Sequence, residues 1–127
     1  MKVKSLTAAL SLLLLMSSGC TMIGVGVASA VGGTYYISGE IKASYPTSIY
    51  HLYRISLHTL KQEKIKVISV ENTKKDADIV AEYKDGSSVK IHIYYNKEGL
   101  ASIGIRVGPI GDEKRSRALH KKMKRFI

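Results

Sequence analysis

Cys20 is the only cysteine in a chain of 127 residues, so any thiol chemistry here starts from a single sulfur. A thiolate nucleophile needs that sulfur free, so it is excluded if Cys20 is acylated. Four histidines remain, at positions 51, 58, 92 and 120. His51 and His58 stand seven positions apart, about 10.5 Å along a helix, too far to share one ion. His92 falls at an outward strand position, and His120 lies in a run of basic residues that repels cations. Solvated imidazoles are the expectation for all four, and no metal site is expected. The carboxylates stand singly in turns or beside lysines, without the apolar surroundings that raise a pKa for acid–base work. Gly24-x-Gly26 follows no strand and lacks the third glycine of a dinucleotide-binding fingerprint. No catalytic constellation and no cofactor are expected, and the chain reads as a non-enzyme.

Cys20 stands at the end of an apolar run. Lys2 and Lys4 precede an apolar stretch over residues 6–16, and Ser17, Ser18 and Gly19 are small. That is the three-part pattern of a secretory signal peptide, and its apolar run falls short of the ~20 residues a spanning helix needs. The residues Ser17-Ser18-Gly19-Cys20 resemble a bacterial lipobox, departing from it at Ser17, where an aliphatic is usual. The resemblance implies cleavage before Cys20 and acylation of its sulfur. Acylation also explains the cysteine count, because an exported domain would otherwise be expected to pair its cysteines. The alternative is one continuous membrane helix through residues 6–31. Ser17, Ser18 and the glycines at 19, 24 and 26 are poor helix formers and argue against it. Thr21 after the cysteine resembles outer-membrane sorting in enteric bacteria. The expected location is the cell envelope, at the outer membrane facing the periplasm.

Three segments are expected: a signal peptide over 1–19, a lipidated Cys20 with a tether over 20–33, and one domain over 34–127. The tether "TMIGVGVASAVGG" is uncharged and rich in Gly, Ala and Val, with small residues at helical spacing in Gly24-x-x-x-Ala28 and Gly26-x-x-x-Ala30. Removing residues 1–19 takes away two lysines and no carboxylate, leaving 18 Lys and Arg against 10 Asp and Glu. An excess of this sign favours anionic partners such as lipid headgroups or glycans, and export makes nucleic acid the least suitable of them. About 94 residues suffice for one modest core.

Within that domain, Tyr35, Ile37, Ile41 and Ala43 alternate with polar residues as one half-buried strand would. Pro46 breaks it, and Thr47 or Ser48 is placed to cap a helix. On that helix Ile49, Leu52, Tyr53, Ser56, Leu57 and Leu60 share a face, opposite His51, Arg54, His58 and Lys61. A short strand "IKVISV" follows. Three alternating strands come next: Ala77, Ile79, Ala81 and Tyr83; Val89, Ile91, Ile93 and Tyr95; Ala101, Ile103, Ile105 and Val107. The turns "KDGS" and "NKEG" separate them. A final basic helix begins at Asp112 and Glu113, with Leu119, Met123 and Phe126 as its apolar stripe. The order β-α-β-β-β-β-α predicts an α+β domain, an antiparallel sheet with both helices packed on one face.

The stretches "YYISGEIKASYPTSIYHLY" and "SIGIRVGPIGDEKRSRALHKKM", with the lipobox, resemble domain-of-unknown-function family 3568, a family of small bacterial lipoproteins. The most specific piece is Ile105-Arg106-Val107-Gly108 followed by Gly111-Asp112-Glu113. The resemblance implies an exported lipoprotein and no particular activity. Two functions remain open: a structural or interaction module tethered in the envelope, or a carrier of a small ligand or lipid in a pocket between helices and sheet. Two surfaces are candidates for an anionic ligand or an envelope partner. On the outward sheet face Lys90, His92, Tyr94 and Arg106 project together, and on the last helix Lys121, Lys122, Lys124 and Arg125 cluster. Their ordinary alternative is a solvated face.

Overall fold

The turn at Ser38-Gly39 sets the first element. Both residues have positive φ, 53° and 83°, the geometry that joins two antiparallel strands through a two-residue loop. In the computed structural model, which describes residues 33–127, β1 (Thr34–Ile37) and β2 (Glu40–Tyr45) therefore form a hairpin. Alternation alone predicts a single strand here, and the hairpin corrects the facing of its first half. Ile37 opposes Glu40 and Tyr35 opposes Lys42, so Tyr35 and Ile37 lie on the open face of the sheet, each half exposed. Ile41 and Ala43 are buried on the other face, as expected.

Helix α1 (Ile49–Gln62) follows, then β3 (Lys66–Asn72), β4 (Asp76–Glu82), β5 (Ser88–Tyr95), β6 (Ala101–Val107) and helix α2 (Glu113–Lys124). The six strands form one antiparallel sheet in the order β1-β2-β6-β5-β4-β3. The fold is the predicted α+β arrangement, with the first predicted strand resolved into two. The link that periodicity cannot supply is β2 against β6, which brings residues about sixty positions apart into register.

The core is built from cross-strand rows. Ile41, Ile105, Ile91 and Ile79 lie side by side across four strands, and Ala43, Ile103, Ile93 and Ala77 form the next row. All are 0–2% exposed. The helices cover these rows with Leu52, Ile55 and Leu60 from α1 and Leu119 and Met123 from α2. Each fully buried aliphatic side chain contributes about 1.5–3 kcal/mol relative to exposure.

Ser48 caps α1, its Oγ accepting from the His51 amide at 3.1 Å. The buried face of α1 is rotated from the predicted one. Ile55 and Thr59 are buried, while Tyr53 and Leu57 reach only its margin. Ser56 and Thr59 tolerate burial because their hydroxyls donate to the Leu52 and Ile55 carbonyls at 2.7 and 2.9 Å. On α2, Asp112 is the cap, accepting from the Arg115 amide at 3.0 Å. Leu119 and Met123 are buried as expected, but Phe126 is 41% exposed and meets His58 edge to face.

Candidate functional site

The open sheet face is where strand alternation places the polar residues. Lys90 and Arg106 are direct cross-strand partners, as are Tyr94 and Ser102. His92 and Tyr94 stack at 5.1 Å between ring centroids. The four residues singled out from the sequence thus do share a face, yet His92 and Arg106 already have partners. His92 Nδ1 lies 2.7 Å from Asp78 Oδ1. Lys42 meets Glu40 at 3.9 Å. With Asp76, Asp78, Glu82 and Glu40 beside Lys90, Lys42 and Arg106, the face is of mixed charge.

Arg106 has a different task. Its Nη2 donates to the Ser38 carbonyl in the β1–β2 turn, and its Nε is buried without a hydrogen-bond partner. Around it, Gly39 and Gly111 approach so closely that a Cβ on Gly111 would stand 2.5 Å from the Gly39 backbone. The Tyr36 hydroxyl donates to the Gly111 carbonyl at 3.2 Å, and Asp112 starts α2 one residue later. The Arg106…Gly111-Asp112 sequence is therefore a clasp that fixes the first hairpin to the β6–α2 loop. Nothing in the spacing of these residues announces that role, since it depends on β2 lying beside β6.

One group of possible metal ligands occurs among the described residues. Asp76, Asp78 and His92 can each offer a ligand atom within 4.8 Å of the others. A divalent ion would have to displace the proton shared by His92 and Asp78, and all three side chains are only partly buried.

His120 departs most from expectation. It is 3% exposed and shares a 2.6 Å hydrogen bond with the Tyr45 hydroxyl, so it is a core residue and not a solvated one. Ser116, Leu119, His120 and Met123 define the inward face of α2, and the surrounding basic residues in sequence hide that spacing. Burial, reinforced by the charges of Lys124 and Arg117, pushes His120 down to about 4. The folded protein therefore keeps this imidazole neutral while the unfolded chain protonates it near pH 6.5. Stability is fully retained above about pH 6.5 and lost as pH falls towards 4, by about 2 kcal/mol once residual solvent contact is allowed for. Urea midpoints at pH 7 and pH 4.5 should show this loss, and His120→Gln should flatten it. Asp85 does not share the window, because the Ser87 backbone amide holds its carboxyl below the usual range.

The basic cluster on α2 is divided. Lys121, Lys124 and Arg125 are exposed, whereas Lys122 pairs with Glu63, the C-cap of α1, at 2.7 Å. A surface the sequence did not single out as a site lies beside it. An open cleft of about 520 Å³ is lined by Tyr50, His51, Arg54, Ile55, His58 and Phe126. The signal for it was present in the positions 51, 54 and 58 on the polar side of α1, but its aromatic walls come from Tyr50 and from Phe126, beyond α2. Cys20 and the expected signal and tether segments, up to residue 32, lie outside the described residues. No helix among the described residues is long and apolar enough to cross a membrane.

The fold and its surfaces define a small α+β domain with a filled interior and chemically mixed faces. The chain belongs to the family described as "Protein of unknown function (DUF3568)", which it matches over residues 3–125. That match covers the N-terminal segment as well as the whole sheet and both helices. No curated protein matches the sequence.

Proposed function

We propose that this protein is a non-enzymatic interaction module of the bacterial cell envelope, tethered through an acylated Cys20. The observation that carries the interaction reading is the contrast between interior and surface. The layer between helices and sheet is filled by Leu52, Leu60, Ile91, Ile105, Leu119 and Met123, each at most 2% exposed. A carrier needs an unfilled cavity of several hundred cubic ångströms, and these side chains occupy the place such a cavity would take. Meanwhile Tyr50 and Ile110 stand 60% and 89% exposed, and the Arg54 guanidinium lies over the Tyr50 ring at 5.9 Å, a pairing that suits an anionic or mixed partner. The Tyr50–Arg54–His58 cleft and the neighbouring Lys121, Lys124 and Arg125 are the best-suited docking surface, because apolar and cationic groups adjoin there.

The tether rests on the signal pattern and the Ser17-Ser18-Gly19-Cys20 motif, and an outer-membrane location rests on Thr21. The carrier remains the second reading. Photo-crosslinkers placed at Tyr50 and at Ile110 in intact envelopes separate the two. An interaction module gives a discrete, position-dependent adduct with an envelope component. A carrier gives no such adduct, and organic extraction of the purified protein then yields a bound lipid or small molecule in near-stoichiometric amount.

A further inference from the structure

Strand β3 forms one edge of the sheet, and its residues do not behave as an edge strand ordinarily does. Natural edges are blunted by charge, proline, shortness or a bulge to prevent strand addition; β3 has a bulge, but its centre is uncharged. Along β3 the central residues are Val67, Ile68, Ser69 and Val70, with Val67 and Val70 more than a third exposed and Ile68 half exposed. Charges stand only near the ends, as Lys66 and Glu71. The other edge, β1, is the one through which the chain enters the sheet, so β3 is the edge furthest from that entry.

The irregularity in this strand decides what fits it. The register with β4 shifts between Val67 and Ser69, leaving Ile68 as the extra residue of a bulge. In a regular strand, positions 66 and 71 point to opposite faces. Here Lys66 opposes Glu82 and Glu71 opposes Asp78, both on the open face. Val67 opposes Ala81 and Val70 opposes Ile79, both on the helix-covered face. The bulge thus gives β3 a palindrome: charge, valine, centre, valine, charge, with matching faces and opposite charges at its two ends.

We infer that β3 pairs antiparallel with β3 of a second copy of this chain, about a two-fold axis between Ile68 and Ser69. In that register Lys66 faces Glu71 of the second copy twice, and Val67 faces Val70 twice. Directly opposed residues share a face in antiparallel pairs, and every one of these pairs satisfies that rule. The valines extend the apolar row Ile105–Ile91–Ile79–Val70 into the second copy, where Val67 continues it to Ala81. Glu71 gains what its own chain does not provide. Its cross-strand neighbour is Asp78, a like charge, and neither Glu71 nor Lys66 has an ion-pair partner among the described residues. The contact is isologous and closes at two copies, giving one continuous sheet without open-ended growth.

The test uses full-length chains in intact cells. Val67→Cys and Val70→Cys are carried on two differently tagged copies, and a short thiol-to-thiol cross-linker is added, with the parent chain measuring background from Cys20. The pairing predicts a mixed-tag dimer from the combined variants and much less from either variant alone. Lys66→Glu or Glu71→Lys placed in both copies should each lower that product by roughly tenfold, because attractive opposed charges become repulsive ones. Combining Lys66→Glu with Glu71→Lys should restore it. Glu71→Lys also removes the clash with Asp78, so its melting temperature should hold or rise, which separates lost pairing from lost folding. Failure of the double exchange to restore the dimer overturns the proposal. So does a cross-link from Val67→Cys to a different protein in place of the mixed-tag dimer, which would assign the edge to a foreign strand.

Discussion

Gly111→Ala is expected to destabilise the domain by about 3–5 kcal/mol, since two costs combine at one position. Gly111 has a φ of +91°, where any side chain is strained, and its added Cβ would sit 2.5 Å from the Cα and carbonyl oxygen of Gly39. Both obstructing atoms are backbone, so no rotamer change relieves them. The β1–β2 turn would have to lift away from the β6–α2 loop, breaking the Tyr36–Gly111 and Arg106–Ser38 hydrogen bonds together. Gly86→Ala is the matched control. Its φ is similarly positive at +87°, but nothing lies within 4 Å of the new Cβ, so only backbone strain of about 1–2 kcal/mol remains. Urea unfolding of the purified variants measures the difference. Equal losses at Gly111 and Gly86 would mean that the clasp contributes nothing.

Ile105→Ala should cost about 2–4 kcal/mol through lost burial and the cavity left behind. Ile105 is fully buried between Ile41 and Ile91 in the middle of the apolar layer. Such a loss is a large share of the stability available to a domain of this size. Lys90, one strand over and on the opposite face, is exposed, and Lys90→Ala should stay within about 0.5 kcal/mol. Similar unfolding midpoints for the two variants would contradict the assignment of faces.

The three strands β4, β5 and β6 and both helices were legible in the sequence because each buries one face against a single apolar layer, and burial imposes its period directly. The first hairpin was not. A two-residue turn keeps the apolar residues evenly spaced while reversing the chain, so Tyr35 and Ile37 read as inward when the register turns them outward. Exposure of Val67, Ile68 and Val70 was equally hidden, since β-branched residues mark a strand without saying whether it sits at an edge. His120 was obscured by its basic neighbours. The candidate surface fared least well. Lys90, His92, Tyr94 and Arg106 do share a face, but the partners of two of them, Asp78 for His92 and the Ser38 carbonyl for Arg106, come from segments whose adjacency only the fold establishes. The Arg106…Gly111-Asp112 segment shows the same thing from the other side. Its residues were recognisable as a family signature before their mechanical role could be seen.

The tether is the central claim, because it decides where every surface described above operates. Two or three long acyl chains hold a protein stably at a bilayer, at about 0.8 kcal/mol per buried methylene. The most direct measurement is fractionation of cells expressing the parent chain or Cys20→Ser, with mass spectrometry of the N-terminal peptide. The account predicts a parent protein in the membrane fraction that begins at an acylated Cys20, and a Cys20→Ser protein that is soluble or persists as an uncleaved precursor. A Cys20→Ser protein that is processed like the parent and stays in the membrane would contradict it.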